Sequence, residues 1–171
     1  MKTRQTVLRL ALWALTLPAA AVCTLAWAGP QNVPFKASVT SQETLGFDPV
    51  RCPATGLVGT TTGRGDASHL GGVTMLATDC PVIAPGVLPV FNDGMLTLIS
   101  ASGDELRASY SGVLLPVAGS ANLFTINGRF SVTGGSGRFL GASGSGYLQG
   151  SITLGPLVSQ GQYEVTGQLS Y

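Results

Sequence analysis

The sequence predicts an all-β protein: an eight-stranded antiparallel up-and-down β-barrel, preceded by a secretory signal peptide. Three observations carry that prediction. Apolar and polar residues alternate with a period of two along most of the chain after residue 30, the pattern of half-buried strands. No segment presents a 3.6-residue apolar stripe, so helices are not expected. Clusters of Gly, Pro, Asn, Asp and Ser separate about eight such runs, as in a sandwich or a closed barrel. The barrel is preferred over the sandwich because the links are mostly short enough for sequential neighbours. In addition, Gly59, Gly72, Gly112, Gly128, Gly146 and Gly167 fall inside strands, where glycine commonly marks the bends of a closing sheet. Closure also removes edges that would invite aggregation.

The N-terminus is read separately. Lys2, Arg4 and Arg9 give a positive start, an apolar run extends from Leu8 to about Val22, and Ala26-Trp27-Ala28 supplies a small-x-small end. These are the three parts of a cleavable signal peptide. The apolar run, broken at Pro18, is short of the roughly 20 residues of a membrane span. Val22 precedes Cys23 where a lipoprotein signal wants Gly, Ala or Ser. Residues 1–28 are thus a signal peptide and residues 29–171 one domain, secreted to the periplasm or beyond.

The strands follow in order. Val33, Phe35, Ala37 and Val39 alternate with Pro34, Lys36, Ser38 and Thr40 in the first. Leu57–Gly63 is the second, small and Thr-rich, and Ser68–Thr78 the third, with Leu70, Gly72, Thr74, Leu76 and Thr78 on one face. Thr78 to Val90 holds Pro81, Pro85 and Pro89 and is read as a stiff surface excursion, because proline neither donates to a ladder nor continues a helix. Phe91–Ser100 is the fourth strand and ends at the turn Ala101-Ser102-Gly103-Asp104. Glu105–Leu115 is the fifth, with Leu106, Ala108, Tyr110 and Gly112 on one face. Leu123–Thr133 is the sixth, with Phe124, Ile126, Gly128, Phe130 and Val132 on one face. Arg138–Leu154 contains the seventh, restarting at Arg138 and Phe139 after a glycine-rich turn. Gln160–Tyr171 is the eighth, with Tyr163, Val165, Gly167, Leu169 and Tyr171 aligned.

Composition and cysteine usage narrow the class. Without the leader, six basic residues face eight acidic ones, a balance that implies no attraction to nucleic acid or anionic membranes. Cys52 and Cys80 remain, an even number in an exported chain, and predict a disulfide closing a loop of about 29 residues. On the chain-entropy model such a bridge contributes roughly 3–4 kcal/mol. Each cysteine precedes a proline, which places both in loops at strand ends. One histidine and no Cys-x-x-Cys leave no metal site to propose, and no cofactor motif is present.

The stretch Phe130-Ser-Val-Thr-Gly-Gly-Ser-Gly-Arg-Phe-Leu-Gly-Ala-Ser-Gly-Ser-Gly146 resembles a motif of uncharacterised exported bacterial proteins with an allene oxide cyclase-like, dirigent-like barrel. Gly63-Arg-Gly-Asp-Ala-Ser-His-Leu-Gly71, Ala101-Ser-Gly-Asp-Glu-Leu106 with Tyr110-Ser-Gly112, and Val165-Thr-Gly-Gln-Leu-Ser-Tyr171 fit the same pattern. The resemblance covers nearly all of the chain after the leader. It implies a calycin-like barrel of eight antiparallel strands around a central cavity. Enzymes on that fold cyclise a fatty-acid epoxide or guide radical coupling, but no stretch here matches their catalytic motifs, and fold alone supplies no activity.

No catalytic constellation stands out. His69 follows Asp66-Ala67-Ser68, but neighbours on one strand point to opposite faces, so Ser68 and His69 do not converge. Gly144-Ser145-Gly146 lies in a strand pattern and is no nucleophile elbow. Asp104 and Glu105 read as a solvated turn, and Arg64-Gly65-Asp66 as a chance tripeptide in a Gly-rich chain. Arg129 and Arg138 would mark a site if they pointed inward, toward an anionic ligand or a buried Glu164. Alternation with Phe130 and Phe139 turns both outward. The residues offered for ligand contact are His69, Tyr110, Arg129 and Arg138. Three function classes remain open: a barrel binding a small apolar ligand or a partner, a cyclase or isomerase acting on a hydrophobic substrate, and a side-chain-filled structural or surface-assembly barrel that could form homo-oligomers.

Overall fold

The computed structural model describes residues 31–171, so the segment 1–28, read above as a signal peptide, lies outside the described residues. Eight strands succeed one another: β1 (Asn32–Phe47), β2 (Leu57–Ala67), β3 (Gly71–Val82), β4 (Val90–Ser100), β5 (Glu105–Pro116), β6 (Leu123–Gly135), β7 (Ser143–Thr153) and β8 (Ser159–Ser170). Each pairs antiparallel with the next, and β8 returns to β1, closing an up-and-down barrel. The one helical element among the described residues is a 3-10 turn, Gly137–Phe139, between β6 and β7.

Alternation decides which side chains enter the barrel. On β1 the inward set is Phe35, Ala37, Val39 and Ser41, and on β3 it is Val73, Met75, Ala77 and Asp79. Their neighbours on the outer wall are mostly Ser, Thr, Gln and charged residues. Inward glycines make room for rings rather than bends. The Phe91 ring lies over Gly112 and Gly128, and the Phe130 ring over Gly146 and Gly167, so a Cβ at any of the four would sit 2.5–3.3 Å from a ring carbon. The ladder irregularities fall elsewhere, at Thr78/Cys80, Phe91/Gly94 and Arg107/Ala108. Gly72 stands on the outer wall.

The two rims differ. At one, the β2–β3 and β4–β5 turns and the 3-10 turn fold over the barrel, and Phe139 and Leu169 are fully buried there beside Leu70 and Ala142. This rim is a closed floor. At the other, the segments 48–56, 83–89, 117–122 and 154–158 surround a mouth, with Phe47, Val50, Ile83, Val87, Leu88 and Leu157 exposed.

Several expectations are corrected. β3 continues through Asp79, Cys80 and Pro81 to Val82, so the surface excursion shrinks to residues 83–89. Pro81 is tolerated next to a bulge and near the strand end, where pairing is already irregular. Cys80 is accordingly a strand residue, while Cys52 is in the β1–β2 loop; their sulfurs lie 2.02 Å apart, at disulfide distance. β1 extends seven residues beyond Thr40. Arg138 and Phe139 do not restart a strand but form the 3-10 turn, because Gly137, at φ 59°, turns the chain inward and buries the Phe139 ring.

Removing both cysteines as Cys52→Ala/Cys80→Ala should lower unfolding free energy in urea by about 3 kcal/mol. A second test concerns wall spacing. A Cβ on Gly65 would meet the Ser38 carbonyl oxygen at 1.9 Å, backbone that cannot yield without breaking the β1–β2 ladder. Gly65→Ala should therefore cost about 1–3 kcal/mol or more, whereas Gly72→Ala, whose nearest neighbour is 3.9 Å away, should change stability by less than about 0.5 kcal/mol.

Candidate functional site

The barrel does not fill itself. A cavity of about 90 Å³ remains, floored by Phe35 and Phe130, walled by Met75, Leu98, Ala108, Ile126, Leu148 and Val165, and bounded toward the mouth by Pro81, Pro89 and Leu114. Four titratable side chains line it: Glu43, Asp79, Tyr110 and Tyr163. They come from β1, β3, β5 and β8, and all four keep the inward parity of the apolar residues deeper in the barrel.

Two glycines on the strands flanking β1 create the space for this cluster. At Gly59 on β2, a Cβ would sit 2.6 Å from Glu43 Oε1 and 2.8 Å from Asp79 Oδ1, so both carboxyl oxygens converge on the same point. At Gly161 on β8, it would sit 2.9 Å from Ser41 Oγ and 3.0 Å from the Tyr163 hydroxyl oxygen. Tyr110 Oη donates to Asp79 Oδ2 at 2.7 Å. Asp79 Oδ1 is buried, and no donor among the described residues reaches it.

The loop 48–56 holds a positive charge behind this pair. Asp48 Oδ1 accepts from the backbone N–H groups of Val50 (3.0 Å) and Arg51 (2.9 Å), setting the turn. The Cys52–Cys80 pair and the Thr55 hydroxyl, which donates to the Pro81 carbonyl at 3.1 Å, fasten the loop to β3. Arg51 then reaches Cys80 Sγ at 3.3 Å through Nη1 and donates to the Asp93 carbonyl through Nη2. Asp93 occupies the β4 bulge at φ 51°, a left-handed conformation uncommon outside glycine. Arg51 is not among the cavity-lining residues.

Burial sets the electrostatics. Desolvation, joined by the nearby Asp79 charge, raises the Glu43 carboxyl from its ordinary 4.5 to about 7. Asp79 is also raised by burial, against the opposing pull of the Tyr110 hydrogen bond and the Arg51 charge. Tyr110 and Tyr163 are pushed up, first by burial and then by the carboxylates, so both phenols stay protonated donors. The site therefore presents, at the mouth end of an apolar cavity, two carboxyls whose charged forms burial disfavours, one of them already bonded by Tyr110, and the protonated Tyr163 phenol. It can bind a polar group by hydrogen bonds, and Glu43 is poised to accept or give a proton.

Of the residues offered from sequence, Tyr110 lines the cavity and the other three do not. His69 is exposed in the β2–β3 turn at φ 67°, not on a strand; its Nε2 lies 3.0 Å from the Pro34 carbonyl and its ring packs on Tyr171 at the floor. Arg129 is on the outer wall, over the Tyr147 ring. Arg138 is exposed at the floor and donates through Nε to Asp104 Oδ2 at 2.7 Å, which with Ser102 holds that carboxyl below its usual range. Glu164 is exposed on the outer wall, Arg64-Gly65-Asp66 lies within β2, and Glu105 pairs with Arg107. Glu43 and Asp79 were missed. Continuing the parity of Val33 through Val39 to Ser41 and Glu43 would have found the first. Among the described residues, no three His, Cys, Asp or Glu side chains gather as a metal site. Comparison with family models, curated proteins and solved structures returns no match to this chain.

The raised Glu43 has a stability signature. Unfolded, the group loses its proton near 4.5; folded, it keeps it to about 7. Between those values only the folded state is protonated, so stability falls as pH rises through that window and levels off above it, with Asp79 acting in the same direction. The expected loss between pH 4.5 and 8 assigned to Glu43 is about 2–3 kcal/mol. Glu43→Gln should flatten that slope and be the more stable protein at pH 8, as read from urea midpoints across the pH range.

Proposed function

We propose that this is an exported barrel that binds a small, largely apolar molecule through its open rim, with one polar group of that molecule held by Glu43, Asp79, Tyr110 and Tyr163. The observation that carries this reading is the cavity itself: apolar walls with a few convergent polar groups at one end are the ordinary make-up of a small-molecule site. An unfilled interior weighs against a purely structural barrel, whose side chains would pack to crystal-like density.

Size limits the occupant. Engineered apolar cavities of roughly 150 Å³ take benzene, and pockets for drug-sized ligands begin near 300 Å³. About 90 Å³ is smaller than either and suits a short chain, with any longer portion lying in the mouth. The leader-like N-terminus supports export to the periplasm or beyond, and likeness to allene oxide cyclase-like and dirigent-like exported barrels is part of the same proposal. The polar outer wall and apolar interior are the reverse of a lipid-embedded barrel, which supports a protein free of the membrane after processing.

A second reading has its own observation. Burial pushes the Glu43 carboxyl up to about 7, where it serves equally as acid and base, beside the protonated Tyr163 phenol, a donor to developing negative charge. On this reading the barrel isomerises or cyclises a hydrophobic substrate by moving a proton at Glu43.

Native mass spectrometry of the protein exported by its own host, followed by identification of what dissociates, tests the binding reading. A bound small organic molecule is expected, and it should be absent from Ala108→Phe, whose ring enters the cavity beside Leu96 and Val132. A wild-type protein that arrives empty and takes up no apolar probe sinks the reading. Recovery of a molecule that the protein converts, with the conversion lost in Glu43→Gln, selects the second reading.

A further inference from the structure

The open question within this site is the chemical class of the polar group it takes. Three families of apolar ligand are conceivable: those ending in a carboxylate, in a hydroxyl, or in an ammonium group. We propose that the cavity selects small apolar amines, binding the ammonium group between Glu43 and Asp79 with the hydrocarbon portion directed toward Phe35 and Phe130. This inference rests on the cavity being a ligand site.

Geometry supplies the first support. Glu43 Oε1 and Asp79 Oδ1 converge over Gly59 from two different strands, and the missing Cβ keeps the point between them open. A group entering there meets acceptors on both sides. Asp79 is 7% exposed, and its Oδ1 is a buried acceptor with no donor among the described residues. Buried acceptors in folded proteins are almost always satisfied, and an unsatisfied one calls for a partner. An ammonium group brings three donors and no acceptor, and so satisfies both oxygens at once.

Charge supplies the second. Among the described residues the cavity is lined by no Lys, Arg or His. Arg51 stands behind Asp79 on the loop side and outside the cavity lining, its Nη atoms committed to Cys80 Sγ and the Asp93 carbonyl and its buried Nε without a partner among the described residues. Glu43 faces Asp79 from β3, Tyr110 from β5 and Tyr163 from β8, all of them acids or neutral donors. A ligand carboxylate would stand against two carboxyls in a poorly screened site and is rejected. An alcohol carries no charge to reward the two carboxylates and donates only one hydrogen bond. A metal ion would find two carboxyls and a few hydroxyls among apolar side chains, short of the six or more oxygens that hard cations take.

The direction with pH follows. Below about 7 Glu43 holds its own proton and competes with the ammonium group; above it, the amine takes the proton's place. Affinity for an amine therefore rises with pH up to neutrality and falls up to about tenfold per unit below it, while the amine itself remains charged to about pH 10.

Hexylamine, hexan-1-ol and hexanoate share one chain length and differ in the end group, so titrating each into the full-length processed protein by NMR isolates that group. At pH 8 hexylamine should bind at least tenfold tighter than hexan-1-ol, and hexanoate at least tenfold weaker than the alcohol. Hexylamine affinity should drop at least tenfold from pH 8 to pH 5.5, and Asp79→Asn or Glu43→Gln should abolish the advantage of the amine over the alcohol. Hexan-1-ol or hexanoate binding as tightly as hexylamine, or an amine affinity indifferent to pH in the wild type, overturns the inference while leaving a ligand cavity in place. Binding of none of the three overturns the cavity reading and this inference with it.

Discussion

The ladder that joins Asn32–Glu43 to Ser159–Ser170 turns a twisted sheet into a cylinder, and every other property of the molecule follows from that closure. Once the first and last strands pair, each strand has one face committed to a common interior. Parity along the chain then assigns Phe35, Val39, Met75, Leu106, Phe130 and Val165 to one core without further instruction. An open sheet of the same strands would leave two edges and no enclosed space. The narrow bore also explains the inward glycines. Rings at Phe91 and Phe130 fit only because the two strands alongside carry no side chain at the contact.

Within that cylinder, burial of two carboxyls is a local cost. Both Glu43 and Asp79 are raised by desolvation, so holding either of them charged costs the fold stability. The surroundings are organised to tolerate them: a phenol donates to Asp79, the cysteine pair fastens a loop that brings Arg51 behind it, and glycine clears the space between the acids. Strain at Asp93 and an unmatched acceptor at Asp79 accumulate at the same rim. Local rules broken together at one place are the usual mark of a site shaped for something other than stability.

Much of this architecture was legible in the residues, and the gaps have physical causes. Alternation over Val33–Val39, Leu106–Gly112 and Phe124–Val132 identified strands and their faces, and carried Tyr110 and Tyr163 with it. It failed where the inward residue is polar. Past Val39 the inward positions are Ser41 and Glu43, which read as the end of a strand although the backbone continues to Phe47. Asp79 was hidden by the Cys80-Pro81 pair, whose loop character is overridden by pairing with β4 beyond a bulge. Arg138 and Phe139 were misplaced because a 3-10 turn of three residues leaves no periodicity to read. Arg51 depends on a loop fixed by a covalent pair and has no sequence signal.

The floor has a consequence for handling. Asn32 pairs with Ser170, so both ends of the described chain leave the barrel side by side at the sealed rim, where Tyr171 packs on Phe139. The mouth lies a full strand length away. A linker or surface attachment at the C-terminus would hold the cylinder upright like a cup on its base, with its opening turned to solvent.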